Sequence, residues 1–207
     1  MFKEAKLSDF SESFIKQVED FPQSINLLLI SSPGAGKTHY ARAIQQTYGG
    51  LYFLISQFFR EIRAVDSKEQ NRLIENAIYE PILIWDDFGI EKGTEFEIGV
   101  MHEILERRIW ENPTGFLILS NATPSQILET YGAKIWDRIF ANFKILFFKG
   151  KSKRIFTLDE KEMQILIVKN LEKKENKKNK KELIPDDIKN IINYYKTLKA
   201  EVVNGKI

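Results

Sequence analysis

The sequence predicts a three-layer α/β fold: a five-stranded parallel sheet covered by helices, followed by a short C-terminal helical tail. Three observations predict it. Five short apolar segments (residues 26–30, 51–55, 82–85, 116–119 and 144–148) alternate with five helix-like stretches (38–48, 57–64, 68–79, 95–110 and 125–142). Several of the apolar segments are continuous runs, the pattern of strands buried on both faces. A glycine-rich turn joins the first strand to the first helix, where α/β folds place an anion-binding loop.

Each element has a local reason. Gly49-Gly50 ends the first helix and returns the chain to a strand, and Pro113 with Gly115 does the same after Trp110. Residues 1–23 are expected to form an N-terminal helical extension that precedes the first strand. It mixes Lys, Glu and Asp with scattered Phe and does not read as a secretory signal. The α/β body spans 24–158. Residues 159–182 contain the charged run LEKKENKKNKKE, read as a solvated helix end or a linker. In 183–207, Pro185 and Asp186 start a helix, and Ile188, Ile191, Ile192, Tyr195, Leu198 and Val202 recur at helical spacing.

Composition narrows the class. The chain has 207 residues, enough for one α/β domain with a short appendage. It has no cysteine, which excludes disulfides and thiolate metal sites and fits a reducing compartment; the expected location is the cytoplasm. No apolar run is long enough to span a bilayer. Net charge is +2, and the segment from Asp159 onward carries twelve Lys against nine acids, so the body is near neutral. A nucleic-acid contact on the body must therefore come from a local patch.

The turn after the first strand reads Ser31-Ser32-Pro33-Gly34-Ala35-Gly36-Lys37-Thr38-His39. Gly34 and Gly36 let the backbone pass close to phosphate oxygens. The amides then point inward at the positive end of the following helix. Lys37 supplies a point charge to the outer phosphates, and the Thr38 hydroxyl can ligate Mg²⁺. The usual spacing is G-x-x-x-x-G-K-[ST], and Ser31 stands at the first glycine position. The segment from Gly34 to Thr38 is intact, and the expected ligand is ATP with Mg²⁺.

The segment Ile82-Leu83-Ile84-Trp85-Asp86-Asp87 is an apolar strand ending in two carboxylates. Its C-terminal end is expected beside the phosphate loop of a neighbouring strand. Asp86 would hold Mg²⁺, directly or through water, and Asp87 would orient the attacking water. Asp-Asp-Phe-Gly also reads as a turn. Trp85 is read as core.

These motifs resemble one family. Ser-Pro-Gly-Ala-Gly-Lys-Thr-His is similar to the phosphate loop of the DnaA/DnaC-type branch of AAA+ ATPases, which often carry a histidine after the Lys-Thr pair, as His39 does here. Asp86-Asp87-Phe88-Gly89 resembles their Asp-Asp-Ile-Gly segment. Leu119-Ser120-Asn121 resembles the strand ending in Ser-Asn that they use as a phosphate sensor. Trp136-Asp137-Arg138-Ile139 resembles their Asp-Arg box. The match covers about 24–158, in the order shown by replicative-helicase loaders and by transposition helper ATPases of the IstB type.

The resemblance implies a P-loop AAA+ fold and a set of roles. Residues Pro33, Gly34, Ala35, Gly36, Lys37, Thr38 and His39 would hold the nucleotide. Thr38 and Asp86 would hold the metal. Asp87 would act on water, Asn121 would bond the γ-phosphate or the water, and Arg138 would be an arginine finger reaching an adjacent subunit. Arg154, in Gly-Lys-Ser-Lys-Arg, would be a second sensor on the nucleotide. The residues alone leave alternatives open. Asn121 before Ala-Thr-Pro also reads as a turn and helix cap. Arg138 also fits a surface pair with Asp137 or Glu129. Arg154 also fits a solvated charge. His39 and His102 are too far apart in sequence to suggest a metal site. The Phe-rich stretch 140–148 reads as core strand. Glu103, Glu106, Arg107 and Arg108 read as solvated helix pairs, and Lys92 with Arg107 and Arg108 as a candidate DNA-facing surface.

The implied function is an ATP-dependent loader of a replicative helicase onto single-stranded DNA in replication initiation. The implied partners are the helicase, single-stranded DNA and further copies of the chain, with no membrane. A transposition helper ATPase carries nearly the same motifs. A nucleotide-binding regulator or adaptor without significant hydrolysis is the third reading.

Overall fold

A computed structural model describes residues 4–89, 93–111, 114–149 and 154–156, with 148–149 and 154–156 as backbone only. A 3-10 turn (Leu7–Asp9) and helix α1 (Glu12–Gln17) precede strand β1 (Asn26–Ser31). Then come α2 (Lys37–Tyr48), β2 (Leu51–Leu54), α3 (Ile55–Ala64), α4 (Ser67–Tyr79), β3 (Leu83–Phe88), α5 (Glu95–Glu111), β4 (Phe116–Ser120), α6 (Pro124–Asn142), β5 (Phe143–Lys149) and β6 (Arg154–Phe156). The expected second strand loses Ile55, which opens α3 and is buried. The charged run, the expected C-terminal helix and Lys92 lie outside the described residues.

Five strands are parallel, in the order β2-β3-β4-β1-β5, as the apolar runs predict. A sixth strand, β6, adds antiparallel to the β5 edge. The burial pattern follows the pleat. Leu28 and Ile30 of β1 join Leu83, Trp85, Phe116 and Ile118 in the larger core, under α3, α4, α5 and α6. Leu27 and Leu29 face the other way, with Ile84, Leu117 and Leu119, under α1 and α2. β1 is therefore buried residue by residue, which is why its sequence is a continuous apolar run.

The N-terminal segment belongs to the second layer. Ser11 caps α1 by accepting from the Phe14 amide at 3.3 Å. Phe14 then packs edge-on against Tyr40 of α2, with ring centres 4.9 Å apart. Phe10 lies against the same tyrosine at 5.4 Å. Residues 7–14 are thereby fixed beside the start of α2.

One arginine organises the opposite end of the sheet. Arg108 of α5 is 1% exposed. Its guanidinium donates to the carbonyls of Ala77, Ile78 and Glu80 at 2.9, 3.0 and 2.7 Å. Longer bonds reach Pro81 and Thr114, each 3.4 Å away. These carbonyls end α4 and lead into β3 and β4, where a cation is favoured by the helix dipole. Gly115 approaches the same turn so closely that a Cβ there would sit 2.2 Å from the Pro81 carbonyl oxygen. Burial removes Arg108 from the expected DNA-facing surface. Arg108 is an internal strut. Arg107 is held among carboxylates, 2.6 Å from Glu75, 2.9 Å from Glu111 and 3.7 Å from Glu103. A guanidinium enclosed by carboxylates offers little net charge to a phosphate backbone.

Burial lowers the Arg108 pKa to about 10, still well above neutrality, so the strut stays charged. Arg108→Ala should lower the unfolding free energy by about 3 kcal/mol, because several buried carbonyls lose their donor and a cavity opens. Urea unfolding at neutral pH checks this, and Arg108→Lys should recover only part of the loss.

Candidate functional site

The C-terminal ends of β1, β3 and β4 meet at one edge of the sheet. The loop after β1 carries Gly34 at φ 77° and Gly36 at φ 103°, both in the region that side chains disfavour. A Cβ at either would meet nothing within 4 Å, so the loop is open on the side its glycines present. Gly36 is the N-cap of α2, and Lys37 and Thr38 begin that helix. Open amides at a helix start, with a lysine among them, are the fit an anionic phosphate chain requires.

The sequence places the carboxylate strand beside the phosphate-loop strand. The structure instead inserts β4 between them. This ordering decides the chemistry, because it brings Asn121, just past the end of β4, between the two groups. The Asn121 Oδ1 accepts from Lys37 Nζ at 2.6 Å, and its Nδ2 donates to the Asp87 carboxylate at 3.4 Å. Ser120, the preceding residue, is fully buried. Its hydroxyl donates to the Phe88 carbonyl and accepts from the Ala122 amide at 3.0 Å. Two strand ends are thus tied by one serine, which the motif places without explaining.

Lys37 is 7% exposed and its ammonium is enclosed by acceptors. Burial lowers its pKa, and the charges of Asp86 and Asp87 work against that shift. Asp86 is buried. Its Oδ2 accepts from the Thr38 hydroxyl at 2.8 Å and from the Tyr52 hydroxyl at 2.7 Å, and its Oδ1 accepts from the Asp87 amide at 2.8 Å. Thr38 and Asp86 therefore face each other with hard oxygen donors, the chemistry that suits Mg²⁺ with its remaining positions filled by water or phosphate.

Asp87 lies inside β3 rather than past its end, at φ 59°, where the pairing with β4 shifts register between Trp85 and Phe88. The irregularity turns its carboxylate outward while Trp85 and Phe88 stay in the core. Aspartate tolerates this left-handed backbone better than most residues. Burial, then the neighbouring Asp86 charge, raises the Asp87 pKa, and Lys37 partly opposes this.

A cleft of ≈ 200 Å³ runs from the loop to the N-terminal segment, lined by Asp9, Phe10, Ser11, Phe14, Ala35, Gly36 and His39. His39 pairs with Asp9 at 2.7 Å, which closes one side of it. Pro33 and Gly34 are exposed on the loop. Of the two remaining expected residues, Arg138 is engaged on α5 and Arg154 is described by its backbone alone. Arg138 sits on α6 and donates to Glu106 of α5 at 2.7 Å, and His102 lies 3.2 Å from the other Glu106 oxygen. Arg138 is thus bonded across to another helix, while its charge also acts on the adjacent Asp137 carboxyl, whose pKa burial raises and Arg138 lowers. Arg154 opens β6, two strands from β1, and its side chain is outside the described residues.

Four residues escape the sequence reading. Tyr52 reads only as a strand residue, yet its hydroxyl holds Asp86 and its ring lies 3.8 Å beneath the Arg42 guanidinium. Burial, then the Asp86 hydrogen bond, raises the Tyr52 pKa, so the phenol stays protonated. Tyr131 accepts from the Gly89 amide at 3.1 Å and so steadies the turn after β3. Asp9 and Phe10 reach the site from 30 residues away in the chain. No local signal marks any of them, because each depends on which elements pack together.

The raised pKa of Asp87 gives a sign. A carboxyl held above its ordinary value costs stability wherever it is ionised, and costs nothing once both folded and unfolded forms are protonated. Asp87→Asn, which keeps the left-handed tolerance, should raise the melting temperature of the ligand-free protein at pH 7. The gain should vanish below about pH 4. Thermal unfolding across pH checks it, and the same variant should lose ATP turnover if Asp87 acts on water.

Comparison with known proteins adds to this geometry. No family model matches the chain. In sequence it is similar to an "Insertion sequence IS21 putative ATP-binding protein" from Pseudomonas aeruginosa, at 26% identity over 161 residues, 72% of this chain. The chain spans 58% of the length of that relative. In structure it is similar to the DnaC helicase loader, with TM-score 0.59, 20% identity, and coverage of 69% of this chain and 96% of that one. DnaI gives TM-score 0.60 at 22% identity, over 69% and 90% of the two chains. The replication initiator DnaA bound to AMPPCP and single-stranded DNA gives 0.59 at 16%, over 96% and 65%. No helix among the described residues is long and apolar enough to cross a membrane. The resemblance read from the motifs is matched in sequence by the insertion-sequence protein, and the P-loop AAA+ fold by the loader and initiator domains.

Proposed function

We propose that this chain hydrolyses ATP with Mg²⁺ and, as a cytoplasmic homo-oligomer, loads a replicative helicase onto single-stranded DNA at replication initiation. The observation that carries the hydrolytic part is the juxtaposition of Lys37, Asn121 and Asp87 across β4, with Thr38 and Asp86 beside them. The reaction is in-line attack of water on the γ-phosphate, driven by positioning and charge neutralisation. Loop amides from Gly34 to Lys37 bind the phosphate chain, and the Lys37 ammonium neutralises its outer oxygens. The cleft at Phe10, Phe14 and His39 takes the nucleoside. Asp87 orients water and accepts its proton, while Asn121 donates to the γ-phosphate or to that water. Thr38 and Asp86 hold the metal, which when bound offsets phosphate charge.

The same reading gives Arg138 a role in trans. Its forked donors suit developing phosphate charge, and it lies 42% exposed on α6, paired with Glu106. Hydrolysis then depends on assembly. Arg154 is the second sensor of the same nucleotide, and residues 183–207 supply the contact with the helicase. What supports loading is the fold shared with the DnaC and DnaI loaders. A second reading, a helper ATPase that recruits a transposase on DNA, is favoured by the similarity to the insertion-sequence ATP-binding protein.

ATP turnover measured across protein concentration, with and without single-stranded DNA, tests the proposal. Specific activity should rise with concentration and respond to DNA. Arg138→Ala should reduce it by about 10³-fold while ATP binding persists. A flat specific activity would remove the trans role. Bound ATP with no turnover under any condition would favour a non-hydrolysing regulator. Co-purification with a helicase or with a transposase separates the two DNA readings, and deletion of 183–207 should abolish the helicase contact.

A further inference from the structure

We propose that the Ser31 hydroxyl is a built-in brake on nucleotide binding, because it occupies a proton of Lys37 that an incoming phosphate needs. The inference rests on the reading of this loop as an ATP site and adds a residue to it.

An ammonium has three protons to donate. In this protein the two shortest bonds from Lys37 Nζ go to side chains, 2.6 Å to Ser31 Oγ and 2.6 Å to Asn121 Oδ1. The backbone carbonyls of Ser31 and Ser32 are weaker acceptors at 3.1 and 3.4 Å. The Ser31 hydroxyl donates its own proton to the Ser32 carbonyl at 3.0 Å, which leaves its lone pairs free for the lysine. The resting ammonium is therefore satisfied within the protein.

Position 31 is where the usual phosphate-loop pattern has glycine. Glycine would still offer its carbonyl to the lysine but no hydroxyl. The extra acceptor is thus a property of this side chain. It is also firmly placed. Ser31 is the last residue of β1, paired with Phe148 of β5 in the sheet register, and it is 7% exposed. Its backbone is held by the sheet rather than by the loop, so removing the hydroxyl need not release the loop.

The consequence has a sign that damage would not produce. Without the hydroxyl, the buried ammonium of the ligand-free protein keeps one strong bond and two longer ones. An unpaired or poorly paired buried charge is unfavourable, and a phosphate oxygen relieves it. Ligand-free protein is destabilised and ligand-bound protein is not. Affinity therefore rises as ligand-free stability falls.

Calorimetric titration with AMPPCP and Mg²⁺ on the full chain tests this. Ser31→Ala should bind about tenfold tighter than wild type, the scale of one charge-assisted hydrogen bond. Its ligand-free melting temperature should drop. Ser31→Thr keeps the hydroxyl and should show no such tightening. Should Ser31→Ala fail to fold, Ser31→Gly carries the same expectation. Unchanged or weaker binding in the alanine or glycine variant overturns the brake, as does equal tightening in the threonine variant. Lys37→Met separates the two claims. Loss of AMPPCP binding in it supports the underlying site, whereas binding equal to wild type overturns that site and the brake with it.

Discussion

Strand β4 lies between the strand that delivers the phosphate loop and the strand that delivers the carboxylates, and the site depends on that placement. A parallel strand carries its C-terminal residue to the same edge as its neighbours. Asn121 consequently arrives between Lys37 and Asp87, within hydrogen-bond reach of both. Ser120 fastens the crest by bonding back to the turn of β3. Had β3 paired directly with β1, the two carboxylates would abut the lysine, and no neutral group would stand between opposite charges.

The electrostatics follow from this arrangement. One ammonium and two carboxylates share a partly dry edge of the sheet. Desolvation pulls the lysine down and pushes Asp87 up, and each is partly restored by the other's charge. Asp86 is treated differently. Three donors converge on it, from Thr38, Tyr52 and the Asp87 amide, so its charge is satisfied by hydrogen bonds. Two adjacent aspartates thereby acquire separate roles, one buried and fixed, the other exposed and poised toward solvent.

The arginines show how far linear sequence reaches. Arg107 and Arg108 are neighbours on one helix and read alike as surface charges. Their side chains leave the helix on different faces. One enters a ring of carboxylates, and the other enters the core to hold the carbonyls that end α4. From its neighbours in sequence alone, Arg138 also fits a local pair with Asp137 or Glu129, beside the arginine-finger role that the resemblance implies. Its hydrogen bond crosses to Glu106 of α5, on a helix whose Trp136 is buried in the core. A partner on another helix leaves no trace in local spacing.

The sequence by itself determined the five parallel strands, the helices between them and the phosphate loop. Those features are local: apolar runs reflect two-sided burial, and a glycine pair with Lys-Thr dictates its own backbone. It also marked Asp86 and Asp87 as candidates, as paired carboxylates after an apolar run, and Asn121 through the resemblance of its Ser-Asn segment. Only the tertiary structure decided the strand order, the antiparallel β6, the Tyr52 bond to Asp86 and the reach of Asp9 and Phe10 to the loop. It also gave Ser31 its bond to Lys37. These depend on which strands become neighbours and which helices cover them. That choice is made by the packing of whole faces, and no short stretch of chain encodes it alone.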